Sequence, residues 1–184
     1  MSDTNIPFHD YFNVTAIYGQ TGSHWSLGFH TGIDLVAVSN LNIYANCDGV
    51  VYSKGYSNAY GNHIFIYDAN TGYYHHFCHM QADSPLNVGD TVNRNTIVGV
   101  MGATGNVTGA HLHYELMQNS TQFLAQNFLD PCVWLGIPNQ IGYYYYEDYP
   151  ITPPTPPTPT IKNRFKFYLF KKKIFNLKKA LIYI

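Results

Sequence analysis

The sequence contains little charge, and basic residues are scarce in most of it. Only 11% of its 184 residues are charged, and Lys54 and Arg94 are the only Lys or Arg before residue 149. All eleven acidic residues lie in that same region, whereas the other eight basic residues lie in the last 24 positions. The two regions are therefore different kinds of polypeptide. We expect no nucleic-acid partner for this protein.

Several common sequence features are also missing. The three cysteines show no Cys-x-x-Cys spacing, which argues against a disulfide framework. The N-terminus has no basic segment followed by an apolar run, so we identify no secretory signal. The glycine-rich segment 102–109 lacks the Lys-Ser/Thr ending of a phosphate-binding loop, and the chain has no His-Glu-x-x-His helix.

Aromatic residues are abundant, with 17 Tyr and 11 Phe, which favours a folded, strand-rich domain. Short runs typical of strands alternate with turn sequences such as Asp48-Gly49 and Gly89-Asp90. These runs cover residues 12–18, 42–45, 49–53, 63–67, 73–80, 91–93 and 97–101. The pattern predicts an all-β fold, an antiparallel sheet or sandwich, with one short helix over residues 121–128 that Pro131 ends.

Composition also predicts the domain boundaries. Residues 1–11 form a lead-in, 12–148 the folded domain, 149–160 a Thr/Pro-rich linker and 161–184 a basic aromatic tail. The linker is expected to be an extended polyproline segment. The longest uncharged stretch of the tail has five residues, too few to span a membrane.

Three interpretations of the tail stay open. It could be a helix on a membrane surface, an unfolded basic extension that contacts an anionic wall or membrane, or a frame-shifted read-through that is not an evolved module.

Two segments carry candidate metal ligands. His111 and His113 are two residues apart, so in a strand both side chains point into one cleft while Leu112 and Tyr114 face the other side. A second candidate pair, His30 and Asp34, lies four residues apart with Gly32 between them, where a glycine allows close backbone approach. Imidazole nitrogen and carboxylate oxygen are both ordinary zinc ligands.

A third histidine-rich segment covers residues 73–80. Strand alternation places His75, Phe77 and His79 on one face, and His76 with Cys78 on the other. Periodicity alone does not decide which set reaches a cleft. Because alternation turns Cys78 away from His79, we do not assign the thiol as a metal ligand.

Four motifs together resemble the lysostaphin-type zinc endopeptidases, which cut bacterial peptidoglycan. Their order matches the family's His-x-Gly-x-Asp, aromatic-x-His-Leu, Val-x-x-Gly-Asp-x-Val and Gly-x-Thr-Gly…His-Leu-His signatures. The motifs are residues 29–34, 77–80, 87–92 and 102–113, and the resemblance covers roughly residues 12–137. The chain departs from the family at Phe77, Cys78, Met80 and Arg94-Asn95, none of which replaces a site residue.

The resemblance implies a role for each of five residues. His30, Asp34 and His113 would bind one Zn²⁺, which leaves a fourth position for water. His79 and His111 would be the catalytic histidines, and one or both of them would act on that water. We treat His9, His24, His63, His75 and His76 as structural or solvent-exposed. His24 is the most open assignment, because its loop precedes His30, and Tyr60 and Asn62 are candidates to line the cleft.

The resemblance further implies a monomeric hydrolase that cuts a cross-bridge or stem-peptide bond of peptidoglycan. The alternative is an inactive relative that binds the wall or activates an amidase. Action on the cell wall without a recognisable leader leaves two origins open. The protein could be a phage-encoded lysin, or a fragment whose leader is missing.

Overall fold

The computed structural model describes residues 5–145. The predicted linker and tail lie outside the described residues. Within them, eleven strands and one α-helix follow one another along the chain. The strands are β1 (Tyr11–Ala16), β2 (Ile33–Ala37), β3 (Asn42–Tyr44), β4 (Gly49–Ser57), β5 (Gly61–Asp68), β6 (Tyr73–Met80), β7 (Thr91–Val92), β8 (Ile97–Val100), β9 (Leu112–Met117), β10 (Phe128–Leu129) and β11 (Gly142–Tyr145), and the helix is α1 (Pro131–Leu135).

Nine of the strands form one antiparallel sheet, which confirms the predicted all-β class. The strand order is β11-β1-β2-β9-β6-β5-β4-β7, and β10 pairs with β9 beside β2. Strands β3 and β8 form a separate two-stranded sheet. β9 is the central strand of the main sheet, and all six of its residues are buried.

Alternation along the central strands separates a hydrophobic face from a polar face. Ile33, Leu35, Phe77, Leu112 and Tyr114 are fully buried in the main hydrophobic core. The residues between them face the opposite side of the sheet, where a smaller cluster of Phe65, Met117 and Phe128 flanks the polar groups. The polar face of the sheet is thus supported from the other side by a packed aromatic and aliphatic core.

The helix forms at a different place from the one predicted. Residues 121–128 contain only a 3₁₀ turn, Ala125–Asn127, followed by β10. The α-helix begins at Pro131, because a proline at the first helical position gives up an amide that would have had no partner there. The Asp130 side chain caps the helix by accepting a hydrogen bond from the Cys132 amide, and Gly136 ends it with a φ of 71°. The predicted position of the helix is therefore wrong, because Pro131 begins a helix and does not end one.

Two loops meet through glycines at one end of the sheet. Gly61 has a φ of +61°, and a Cβ built on it would lie 2.3 Å from the carbonyl oxygen of Thr104. A Cβ built on Gly105 would likewise lie 2.3 Å from the amide nitrogen of Gly61. Glycine is needed at both positions because any side chain would push the Thr104 loop away.

No helix in the described part of the chain is long and apolar enough to cross a membrane.

His75, which we expected to be structural or exposed, is completely buried on the core side of β6. Its Nδ1 lies 2.8 Å from the Tyr114 hydroxyl, and its ring contacts the edge of Trp134. Burial, helped by the positive charge of Arg94, lowers the pKa of His75 to about 3.

Replacing His75 should therefore reduce the sensitivity of the fold to acid. Between the unfolded-state pKa near 6.5 and the folded-state pKa near 3, the unfolded chain binds a proton that the native chain does not, so stability falls as the pH falls. The free energy of unfolding of the His75→Phe variant should therefore fall less on acidification than that of the original protein, by about 1 kcal/mol for each pH unit below 6.5. Urea unfolding of both proteins at pH 7 and pH 5, in the presence of a chelator, measures the difference. If the free energy of unfolding falls by the same amount in both proteins between pH 7 and pH 5, His75 does not contribute to the acid sensitivity.

Candidate metal centre

Pairing of β2 with β9 brings the first three candidate ligands together. Asp34 lies directly opposite His113 in this register, and His30 reaches the same point from the loop before β2. His113 Nδ1 lies 2.9 Å from Asp34 Oδ1 and 3.0 Å from His30 Nε2, and His30 Nε2 lies 3.1 Å from Asp34 Oδ1. Two imidazole nitrogens and a carboxylate oxygen thus converge in one cluster.

The dimensions and chemistry of this cluster fit a metal ion such as zinc. Tetrahedral ligation with bonds of about 2.0 to 2.2 Å separates ligand atoms by about 3.3 to 3.6 Å, close to the distances seen here. His30 Nδ1 lies 2.9 Å from the carbonyl oxygen of Ile17, which can only accept a hydrogen bond. His30 Nδ1 therefore carries the proton, and the lone pair of Nε2 points at Asp34 and His113.

Gly32 is needed for the two strands to approach this closely. A Cβ at this position would lie 2.4 Å from the carbonyl oxygen of Tyr114 and 2.9 Å from Cε1 of His113. The close approach expected from the sequence is therefore observed, and it is an approach to β9 itself.

The electrostatics of the cluster favour positive charge at its centre. Burial alone would raise the pKa of Asp34, but the neighbouring imidazoles of His113 and His30 outweigh burial and hold this pKa well below its usual range. Burial would lower the pKa of His113, but hydrogen bonds to Asp34 and Glu115 raise it to about 10. The two carboxylates thus attract positive charge to this point, and a metal cation bound at His113 Nδ1 in place of its proton would meet the same attraction.

His79 reaches the cluster because its backbone breaks the strand alternation. It has a φ of 60°, and the pairing of β5 with β6 shifts register near this end. Its ring centroid lies 5.9 Å from that of His113. Burial and the nearby His113 lower the pKa of His79 to about 4, and its Nδ1 lies 2.8 Å from the Thr104 carbonyl oxygen. The imidazole is therefore neutral at pH 7, with Nε2 as its free nitrogen.

His111 lies beside His79, where the cluster is partly exposed to solvent. We call this exposed edge of the cluster the opening. Their ring centroids are 4.8 Å apart, and His111 Nε2 lies 3.7 Å from Asp34 Oδ1. His111 Nδ1 lies 2.9 Å from the Gly109 carbonyl oxygen, so again Nε2 is the free nitrogen. All five candidate site residues from the sequence are therefore brought together around one opening.

The expectation that Cys78 faces away from the site was wrong. Because the positive φ of His79 reverses the alternation, Cys78 and His79 both lie on the polar face. Cys78 Sγ lies 3.2 Å from His76 Nε2 and is completely buried, and burial raises the pKa of this thiol well above its usual value. It is thus a neutral hydrogen-bond partner of His76 in the described structure.

Glu115 is the residue that sequence reasoning missed. It is 1% exposed, and its carboxylate contacts His113, His76, Thr31 and Tyr60. The signal was present, because His111, His113 and Glu115 alternate along one strand and must share a face. His76, which we expected to be structural or exposed, is buried against this carboxylate.

The remaining candidates do not join the cluster. The exposed His24 packs at a tilt against Trp25, whose ring centroid lies 5.1 Å from that of His30. The Tyr60 ring borders His113, as expected for a cleft residue, whereas the Asn62 side chain donates to the Met80 carbonyl oxygen. His63 bonds the carbonyl oxygen of Gly61, and His9 contacts Asn95 far from the site.

The sequence is similar to those of bacterial proteins that are named as peptidases. The chain is 36% identical over 108 residues to the peptidoglycan DD-endopeptidase ShyC of Vibrio cholerae, covering 59% of this chain and 24% of ShyC. It is 39% identical over 98 residues to the DD-carboxypeptidase/endopeptidase Mpg of Neisseria meningitidis, covering 52% and 21% of the two chains. The chain thus spans about a quarter of the length of these relatives.

A solved structure and a family model agree with these relatives. The catalytic domain of the antimicrobial peptidase lysostaphin from Staphylococcus simulans aligns with a TM-score of 0.60 at 28% identity, over 66% of this chain and 90% of that domain. The model of peptidase family M23 matches residues 28–124, a segment that contains all five converging residues. Because this match covers more than half of the sequence, the chain belongs to peptidase family M23.

Proposed function

We propose that this protein is a zinc-dependent endopeptidase that hydrolyses peptide bonds in bacterial peptidoglycan, in a cross-bridge or a stem peptide. The observation that carries the proposal is the buried cluster of His30, Asp34 and His113, with the free Nε2 atoms of His79 and His111 at the same opening. The family membership and the names of the relatives support both the reaction and the polymer.

Three residues would bind the metal, each through one atom. These atoms are His30 Nε2, Asp34 Oδ1 and His113 Nδ1, a mixed nitrogen and oxygen set that suits zinc. When bound, zinc lowers the pKa of a water molecule to about 7 and polarises the carbonyl of the scissile bond. The protein's share of the reaction is to position the peptide and to move protons.

His79 and His111 would move those protons. His79 is neutral at pH 7 and keeps an unprotonated Nε2 at the opening, so it can accept a proton there. His111 is also oriented by a backbone carbonyl, and in its imidazolium form its Nε2 can donate to the developing oxyanion or give its proton to the leaving amine. In both residues the backbone fixes which nitrogen reacts.

Aromatic and polar residues next to the site are suited to a peptide substrate. Tyr60 borders His113, and the exposed Phe123 stands at the edge of Tyr60. The loops that contain Tyr60 and Thr104 also form an open groove. Its lining residues are Tyr56, Asn58, Ala59, Gly105 and Asn106. All five lining residues are uncharged, which fits short, weakly charged peptides better than a highly charged polymer.

Purified protein incubated with intact peptidoglycan should release peptide fragments, and a chelator should stop the release. Zinc added back in stoichiometric amount should restore it. Mass spectrometry of fragments from defined peptidoglycans, one with D,D cross-links and one with glycine bridges, identifies the bond. A chain that contains no stoichiometric zinc and releases nothing from either polymer would support the inactive wall-binding alternative instead.

Single substitutions should divide the five site residues into two groups. His30→Ala, Asp34→Ala and His113→Ala each remove a metal donor, so zinc content and turnover should both be lost. His79→Ala and His111→Ala leave the three donors in place, so zinc should stay stoichiometric while turnover falls by about 100-fold or more. Elemental analysis and the fragment assay test both expectations. Active lysis by His30→Ala, or zinc loss in His79→Ala, would contradict the assignment.

Gly61→Ala should damage turnover without removing the metal. A Cβ at position 61 would collide with the Thr104 carbonyl oxygen, which holds Nδ1 of His79, so the variant should misplace that imidazole. We expect turnover to fall at least 10-fold with unchanged zinc content. Gly55→Ala is the matched control, because a Cβ at Gly55 meets nothing within 4 Å. Equal activity of the two variants would show that the Thr104 contact does not position His79.

A further inference from the structure

Glu115 is a buried carboxylate that none of the roles above uses. Its Oε1 accepts hydrogen bonds from the Thr31 hydroxyl at 2.5 Å, the Tyr60 hydroxyl at 3.0 Å and His113 Nε2 at 3.0 Å. Its Oε2 accepts one from His76 Nδ1 at 2.7 Å. A fully buried charge is stable only with such complete pairing.

This carboxylate dictates which nitrogen of His113 carries a proton. The Thr31 and Tyr60 hydroxyls both donate to Oε1, so this oxygen is an acceptor and Nε2 of His113 must carry the proton that it shares with Oε1. The other nitrogen, Nδ1, is then the one that faces Asp34 and His30 and is able to hold a metal. Glu115 thus decides both the tautomer and the direction of the ring.

The same logic fixes the residues behind Glu115. His76 must donate from Nδ1 to Oε2, which leaves its Nε2 as an acceptor for the thiol of Cys78. A directed chain of hydrogen bonds therefore runs from Cys78 through His76 to Glu115, all of it buried. These partners hold the carboxylate in place from the side opposite His113.

His113 differs in this respect from the other three histidines at the opening. His30, His79 and His111 each donate Nδ1–H to a backbone carbonyl, of Ile17, Thr104 and Gly109 respectively. Among these four, His113 alone is oriented by a charged side chain and presents Nδ1 instead of Nε2 to the opening. The negative charges of Asp34 and Glu115 would also balance a divalent cation, which makes a buried site electrically neutral.

We propose that Glu115 is the positioning residue of the metal site: it orients His113 through Nε2 and supplies the second negative charge that the buried cation requires. The inference rests on the metal site of the proposed function and adds a residue that touches neither metal nor substrate. Carboxylates behind metal-bound histidines raise the basicity of the ligand and fix its geometry, and losing one typically weakens metal affinity by 10- to 100-fold.

The test is Glu115→Gln, which keeps the size of the side chain and removes its charge. Zinc affinity is measured by competition with a chromogenic chelator, with no substrate present. We expect the variant to bind zinc 10 to 100 times more weakly than the original protein. Tyr114→Phe is the matched control: it deletes a buried hydroxyl from the same strand on the opposite face, so it should leave zinc affinity unchanged while costing about 1 kcal/mol of stability.

A second measurement needs no variant and covers the case in which Glu115→Gln does not fold. Nitrogen-15 NMR of the zinc-loaded original protein should show a proton on Nε2 of His113 and metal coordination at Nδ1. Coordination through Nε2, or equal zinc affinity of a folded Glu115→Gln variant, would overturn the role of Glu115 alone. Failure of the original protein to bind zinc would instead overturn the metal site of the proposed function, and this inference with it.

Discussion

The pairing of β2 with β9 is the interaction on which the site depends. It sets Asp34 opposite His113, and it is tight enough that Gly32 has no room for a side chain. Both strands present apolar residues to the core on their other face, so the register cannot slip by one residue without exposing Ile33, Leu35, Leu112 and Tyr114. The free energy that stabilises the core therefore also fixes the distances among the three candidate metal ligands.

Each of the four imidazoles at the opening also bonds a carbonyl or carboxylate oxygen through its other ring nitrogen. In water either tautomer of a histidine is available, whereas a ring held by a carbonyl or a carboxylate keeps one. The three histidines that present Nε2 are tied to main-chain oxygens, which move only if the fold moves. The fourth is tied to Glu115, itself held by Thr31, Tyr60 and His76. The site is thus oriented before any ligand arrives, which is the arrangement that electrostatic catalysis requires.

The backbone at His79 shows the cost of this orientation. A left-handed conformation is unfavourable for a residue with a side chain, and the structure tolerates it where the Tyr60 carbonyl and the Thr104 carbonyl both accept hydrogen bonds from His79. The glycine contact between residues 61 and 105 makes that loop approach possible. Local strain at one strand end and close packing of two loops together place a neutral imidazole at the opening.

The sequence by itself determined the all-β class, most strand positions and the shared face of His111 and His113, because these follow from alternation and turn chemistry within a few residues. The motifs also identified the five residues that converge. The position of α1, the side on which Cys78 lies and the place of His79 were decided by tertiary structure, since a proline can start or stop a helix and one positive φ reverses alternation. Glu115 needed both: alternation put it beside His113, but its partners Thr31, Tyr60 and His76 come from distant parts of the chain. Only folding brings those donors around one buried carboxylate, and their combined hydrogen bonds are what allow a charge to remain there.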